Sequence, residues 1–288
     1  MSEYCQGFYG VNIIFTPEIL EMKKAVFCFL IILSACNNKE EEAKVKPATE
    51  TPSEEKRLKD DVLKYPDSLI LRETLVQYFR DNGNYFNAIK AIDEAIHKDS
   101  INPRLWDIKA VLHFEDADTA KAILSFERAV LLFPDPQYII SLGTLYAQTK
   151  DPMALQMADA LLIGKKANAD KEAFFIKGLY YSFINEKIKA ISYFDKCLAL
   201  NYTFMDAYRE KAIALYDLGK YEEALAVLDK AITLQNNFDE GYYYSGQCLE
   251  KLNRKDEAIQ AYQNALVYDP EYIEAKDALA KLGAGSSK

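Results

Sequence analysis

The sequence predicts an all-α solenoid, a stack of helix pairs repeated along the chain. Three observations carry that reading. A short pattern recurs: "AIKAIDEAI" begins at Ala88, "AILSFERAV" at Ala122, "AISYFDKCL" at Ala190, "ALAVLDKAI" at Ala224 and "AIQAYQNAL" at Ala258. Its interval is fixed, with Ala122 34 residues after Ala88, Ala190 twice 34 further on, and Ala224 and Ala258 at 34 each. Such a period, made of two amphipathic helices, buries its apolar faces only by stacking on neighbouring copies. Gly and Pro are sparse, 11 and 9 in 288 residues, which disfavours a β-sandwich or a collagen-like chain.

The chain opens unevenly. Residues 1–21 carry Glu3, Glu18 and Glu21 and read as an upstream extension, so translation is expected to begin at Met22. From there Lys23 and Lys24 precede an apolar run over 25–35, which suits a signal-peptide core and falls short of the roughly 20 residues of a membrane-spanning helix. Leu33-Ser34-Ala35-Cys36 resembles the lipobox of bacterial lipoprotein precursors. That resemblance implies cleavage of a signal peptide at 22–35 and lipid attachment at Cys36, whose acyl chains would hold the protein to a membrane. Residues 36–54, "CNNKEEEAKVKPATETPSE", hold too few large apolar side chains for a core and read as a disordered tether. Asn37 is not the aspartate of inner-membrane retention, so the resemblance implies an outer-membrane lipoprotein. The run Lys39-Glu40-Glu41-Glu42 resembles an acidic surface-export signal, and a plain solvated charge run is the equal alternative.

A lone capping helix is expected over 55–68, ended by Pro66. Six repeats follow, at 69–102, 103–135, 136–170, 171–204, 205–238 and 239–272. The first half of the pattern is clearest in Ile139-x2-Leu142-Gly143-x2-Tyr146, and the second in Ala122-x3-Phe126-x2-Ala129-x4-Pro134, with Trp106 before it. The last copy runs Tyr242, Gly246, Ala258, Tyr262, Ala265, Pro270. These residues resemble the tetratricopeptide repeat, which implies a right-handed superhelix. Small residues stand where helices approach closely, and Phe126, Phe194, Leu228 and Tyr262 fill the hollows. The third repeat departs: its second helix opens at Asp151-Pro152, its Ala154 and Ala158 miss the 34-residue grid, and "IGKKANAD" lengthens the next loop. A second capping helix at 273–283 ends at Gly283, before a tail at 284–288. Cys197 and Cys248 stand two repeats apart and are expected to be free, buried thiols.

The resemblance places the first helix of each pair on the concave face, where an extended peptide or partner helix binds. Side chains one turn apart along those helices give the candidate groove: Val111, Phe114, Phe175, Leu179, Phe183, Arg209, Ile213, Tyr216, Tyr243, Gln247 and Glu250. Arg209 and Glu250 are expected at its rim. The alternative, packing under a neighbouring turn, applies most to Phe183 and Ile213. Glu73, Gln77 and Asp107 stand where a carboxylate clamp would need basic and amide groups, which argues against binding an acidic C-terminus. The net charge of −9 gives nucleic acid no electrostatic support. No CxxC pair exists, only two histidines (His97 and His113) occur, and no phosphate loop or triad pattern appears. The expectation is a non-catalytic adaptor without cofactor or metal, binding other proteins of the envelope-assembly or cell-wall machinery. Surface display with a host or nutrient ligand is the alternative.

Overall fold

A computed structural model of the protein describes residues 53–164 and 169–284. The upstream extension, the signal peptide, Cys36 and nearly all of the tether lie outside the described residues, as do 165–168 and the tail from 285. The described residues form α-helices and no strand. Helix α1 (Glu54–Lys64) precedes six antiparallel pairs: α2 (Leu69–Asp81) with α3 (Tyr85–Lys98), α4 (Pro103–Glu115) with α5 (Thr119–Leu132), and α6 (Pro136–Gln148) with α7 (Met153–Gly164). The series continues with α8 (Asp170–Phe183) and α9 (Lys187–Leu200), α10 (Met205–Asp217) and α11 (Tyr221–Leu234), then α12 (Asp239–Lys251) and α13 (Lys255–Tyr268). Helix α14 (Ile273–Lys281) covers the last pair. The all-α repeat solenoid expected from the sequence is the observed fold.

One turn recurs inside all six pairs. Each first helix ends on a residue in the left-handed region: Gly83, Ala117, Lys150, Asn185, Gly219 and Asn253, with φ between 59° and 73°. The amide that follows reaches back to the last turn, as in Asn84 N–H to Phe79 O at 2.8 Å and Arg254 N–H to Leu249 O at 2.9 Å. This is the Schellman closure, which satisfies helix-end carbonyls and sets one exit direction for the chain. Side-chain caps start many of the next helices: Asp118 Oδ1 accepts the Lys121 N–H at 3.1 Å, and Asp135 Oδ1 the Gln137 N–H at 2.9 Å ahead of Pro136.

In two pairs a glycine of the first helix lies under an aromatic ring of the second. A Cβ added at Gly178 would stand 2.4 Å from the Phe194 ring, and one at Gly246 2.5 Å from Tyr262. Only hydrogen fits there, so both rings drop fully into the helix interface. Between pairs, an aspartate of one second helix meets a lysine of the next first helix: Asp93 with Lys109 at 2.7 Å, Asp159 with Lys177 at 2.6 Å and Asp195 with Lys211 at 2.6 Å. Leu58 and Val62 of α1 close one end of the core, and Ala275 and Leu279 of α14 the other.

In α7, Asp151 Oδ1 accepts the Met153 N–H at 2.8 Å, and Ala154, Ala158 and Leu161 are buried. Their 4-then-3 spacing is that of Ala122, Phe126 and Ala129 in α5. Cys197 and Cys248 are buried free thiols, as the sequence implied. Among the described residues no helix is long and apolar enough to cross a membrane.

Candidate partner-binding face

First helices touch first helices: α6 packs on α8, α8 on α10 and α10 on α12. No comparable contact joins successive second helices among the described residues. Closer spacing along one row curves the stack toward it, so the first helices form the inner face. Salt bridges link that row. Arg104 grips Glu73 through Nε–Oε1 at 2.7 Å and Nη2–Oε2 at 2.9 Å, and Arg80 pairs with Glu115. Both are forked Arg–carboxylate contacts, which hold geometry better than single bonds.

The predicted groove residues divide on this face. Val111 and Phe114 are half-buried against the core of repeats two to four. The Phe175 ring, also half-buried, lies 5.0 Å from Phe204 and 5.9 Å from Phe194. Leu179 is a correction: at 5% exposed it belongs to the core beneath that ring pair and offers nothing to a partner. Phe183, expected to be the more hidden, is 40% exposed. Ile213 and Tyr216 are half-buried, with the Tyr216 ring edge-on to Tyr221 at 5.1 Å and Lys251 Nζ 6.0 Å from its centroid. Tyr243 is half-buried, and its hydroxyl accepts from Gln247 Nε2 at 2.8 Å. Glu250 is exposed, and one of its oxygens accepts the Tyr262 hydroxyl.

Arg209 is the second correction. Expected at the rim, it is 7% exposed and sits among carboxylates. Its Nη1 lies 2.6 Å from Glu240 Oε2 and 2.9 Å from Asp206 Oδ1, and its Nε 3.3 Å from Glu210 Oε1. Burial alone would lower the guanidinium pKa, but Glu210, Glu240 and Asp206 together raise it. Burial in turn raises both Glu210 and Glu240 against the pull of Arg209. A guanidinium with so many anions stays inside because leaving them would strand buried charge.

Three residues of this cluster escaped the sequence reading. They are Glu240, Tyr244 and Tyr272. In the structure the Tyr243 ring lies 5.2 Å from Tyr244, 5.7 Å from Tyr262 and 4.9 Å from Tyr272. Glu240 Oε1 and the Tyr272 hydroxyl are buried and have no hydrogen-bond partner.

At the other end of the face, Asp107 is held up to about 6, chiefly by burial, with Asp135 adding to the effect and Arg104 opposing it. Arg104 is already committed to Glu73. Off the inner row, a cleft of about 750 Å³ runs between α3 and the α4–α5 turn, with exposed His97 and buried His113 in its lining. Arg72, Lys90, Lys98 and Lys121 line it together with Asp93, Glu94 and Asp116, so the cleft carries no dominant charge.

Fold and face define a class: an α-solenoid of paired helices with an inner surface of first helices, the architecture of repeat proteins that hold other chains. The tetratricopeptide repeat model matches residues 74–139, 189–237 and 209–273, more than half of the chain, and a second tetratricopeptide repeat model matches 171–204. The chain belongs to the tetratricopeptide repeat family. Among solved structures it is similar to a tetratricopeptide repeat protein of Parabacteroides merdae, at 19% identity and TM-score 0.67 over 80% of this chain and 91% of that one. It is also similar to PilW, a widely conserved type IV pilus biogenesis factor, at 18% identity and TM-score 0.59 over 73% of this chain and 97% of that one. A curated relative, an uncharacterised protein of Methanocaldococcus jannaschii, is 42% identical over 53 residues, which are 18% of this chain and 62% of that protein. These likenesses establish the fold, and the family's fold is that of a protein–protein interaction scaffold.

Proposed function

We propose that the protein is a non-catalytic adaptor that holds a partner protein's peptide or helix against the first helices of its solenoid. One observation carries the reading. Phe175, Phe183, Ile213, Tyr216 and Tyr243 keep accessible apolar surface along one continuous inner row, where solvated helices would carry charge. Photo-crosslinking tests it: p-benzoylphenylalanine at Phe183 or Tyr216 is expected to yield discrete adducts in intact cells. The same probe at Leu131 or Val267, exposed on second helices, is expected to yield none. Equal adducts from both rows would refute the inner-face assignment.

We also propose that Cys36 is lipid-modified and anchors the solenoid to the outer membrane of a bacterial envelope, where its partners would be envelope-assembly or cell-wall proteins. The sequence Leu33-Ser34-Ala35-Cys36 behind Lys23 and Lys24 supports this. Metabolic labelling with an alkynyl fatty acid is expected to tag the parent chain and not Cys36→Ser, and a tag that survives the substitution overturns it. The acidic run after Cys36 fits an outward-display signal and a plain solvated charge run equally, and protease shaving of intact cells separates them: loss of the chain indicates display, and protection a periplasmic adaptor.

A further inference from the structure

The solenoid has two edges. At the turn edge each first helix bends back into its own second helix, and at the linker edge each second helix hands over to the next pair. Exposed apolar side chains are shared unevenly between them. Of the exposed large apolar side chains among the described residues, all but five stand at the linker edge: in the last turn of a second or capping helix, in the linker after it, or in the first turn of the next helix. The five are Phe86, Phe183, Ile188 and Leu218 at the turn edge, and Leu124 inside α5. Over the ends of three successive second helices, α5, α7 and α9, the side chains of Leu131, Phe133, Ile163, Leu200 and Tyr202 are between 56% and 79% exposed.

So much apolar surface on one edge calls for a cover. A protein partner fits it poorly, because polar groups fixed to the backbone stand among the apolar ones. Asp135 Oδ1 accepts the Gln137 N–H at 2.9 Å beside Phe133, and Asn201 Oδ1 the Thr203 N–H at 3.0 Å beside Tyr202. The core of a protein interface is packed and depleted of charge. A lipid interface takes both kinds of group, with apolar bodies dipping below the headgroups and polar atoms staying hydrated. The Cys36 sequence puts such a surface within reach. Helix α1 begins at the turn edge, and helices of 13 or 14 residues span about 20 Å. The 17 residues from Cys36 to Pro52 can extend to at most about 60 Å, so the linker edge can meet the bilayer that holds Cys36. The net charge of −9 offers anionic headgroups no attraction, which leaves apolar insertion as the holding force.

We propose that the linker edge at the ends of α5, α7 and α9 is a lipid-facing surface, with Leu131, Phe133, Ile163, Leu200 and Tyr202 resting in the headgroup region of the bilayer that anchors Cys36. The inference rests on the Cys36 reading. Standing on this edge leaves the inner face open to its partner, and lipid around Leu131 agrees with the absence of protein adducts expected there.

The test uses the full chain purified from cells and reconstituted in vesicles of phosphatidylcholine and phosphatidylethanolamine, with nitrobenzoxadiazole on one added cysteine. Leu131→Cys and Leu200→Cys probe the linker edge. Phe86→Cys and Ile188→Cys, 78% and 77% exposed at the turn edge, are the matched controls. Doxyl-labelled phosphatidylcholine is expected to blue-shift nothing and quench nothing at the controls, while the two linker-edge probes emit to the blue and lose most of their emission. Phe133→Glu with Tyr202→Glu is expected to abolish the loss at Leu200→Cys. Both side chains are exposed, so folding is retained, and the urea midpoint followed by Trp106 checks that. Equal quenching at both edges, or none at either, overturns the lipid-facing edge and leaves the anchor standing. A blue shift that needs no vesicles and grows with chain concentration assigns the edge to a second copy and overturns it as well. The mass of the purified chain reads the anchor separately. Without acyl chains the Cys36 reading falls, and quenching by added vesicles still decides the edge.

Discussion

Asp107 offers the sharpest quantitative check on the inner face. Its carboxyl is held near 6 where an unfolded aspartate titrates near 3.8, mainly because it is buried beside Asp135 with its one close cation engaged by Glu73. The sign follows from linkage. A folded-state value above the unfolded one means that the contribution to stability is fully present below about 3.8 and is lost as pH rises through about 6. At roughly 1.4 kcal/mol for each tenfold difference, the gap sets a ceiling of about 3 kcal/mol on the penalty at pH 7. Residual solvent contact reduces this, so Asp107→Asn, which keeps the shape and removes the charge, is expected to stabilise by about 1–3 kcal/mol at pH 7. Trp106 is the chain's single tryptophan and adjoins the site, with its indole N–H bonded to Ser100 O at 2.9 Å. Its fluorescence therefore follows unfolding of this repeat, which matters because solenoids can unfold in segments. Urea titrations from pH 4 to 8 are expected to show the variant more stable at pH 7 and the two curves converging toward pH 4. Parallel curves across that range, or equal midpoints at pH 7, would refute the reasoning.

Gly178→Ala forces a methyl to within 2.4 Å of the buried Phe194 ring. Overpacking of about 1–3 kcal/mol then outweighs alanine's helix preference of about 1 kcal/mol, so the urea midpoint falls, and a rise would show the interface to be loose. Ala117 occupies the left-handed turn position at φ 61°, where Gly83 and Gly219 stand in other repeats. Ala117→Gly is expected to gain about 0.5–1 kcal/mol by thermal melt, and a loss would show that the φ is not as described. Cys197 and Cys248 are fully buried, and that burial pushes both thiols up to about 12. Neither is expected to react with iodoacetamide until the chain is unfolded, as read by mass spectrometry, and labelling of the folded chain would place them at the surface.

The stacking was legible because close helix approach admits few residue types. Ala88, Ala122, Ala190, Ala224 and Ala258 are all fully buried, and Gly178 and Gly246 of the first helices sit against the Phe194 and Tyr262 rings. The inner face was less legible because a charge on a helix reads as solvated whatever lies across from it. Arg209 looked like a rim residue for that reason, and its partner Glu240 lies 31 residues on. The same separation joins Glu73 to Arg104 with the signs reversed. Two opposite-charge pairs 31 residues apart were therefore a signal in the sequence, but one that takes meaning only after a 34-residue period has been wound into neighbouring first helices. Leu179 failed differently, since a leucine one turn beyond Phe175 fits an apolar groove and an apolar core equally well until the curvature is known.

The third repeat shows how much a periodic ion pair can fix. Asp93 and Lys109 are 109 − 93 = 16 residues apart, and Asp195 and Lys211 are again 16 apart. Asp159 and Lys177 make the same contact at 18. If two extra residues had entered α7 itself, its buried column would break phase, but Ala154, Ala158 and Leu161 keep the 4-then-3 spacing of the other second helices. The extra length must then fall after the column and before α8, in the stretch "IGKKANAD". Ala154 falls 32 residues after Ala122, two short of the 34-residue grid, and Ala190 follows it by 36, so the two residues missing before the column are made up after it. The inner row, where α6 meets α8 directly, therefore runs through the irregular repeat without interruption, and a partner segment lying along the face meets a continuous surface there.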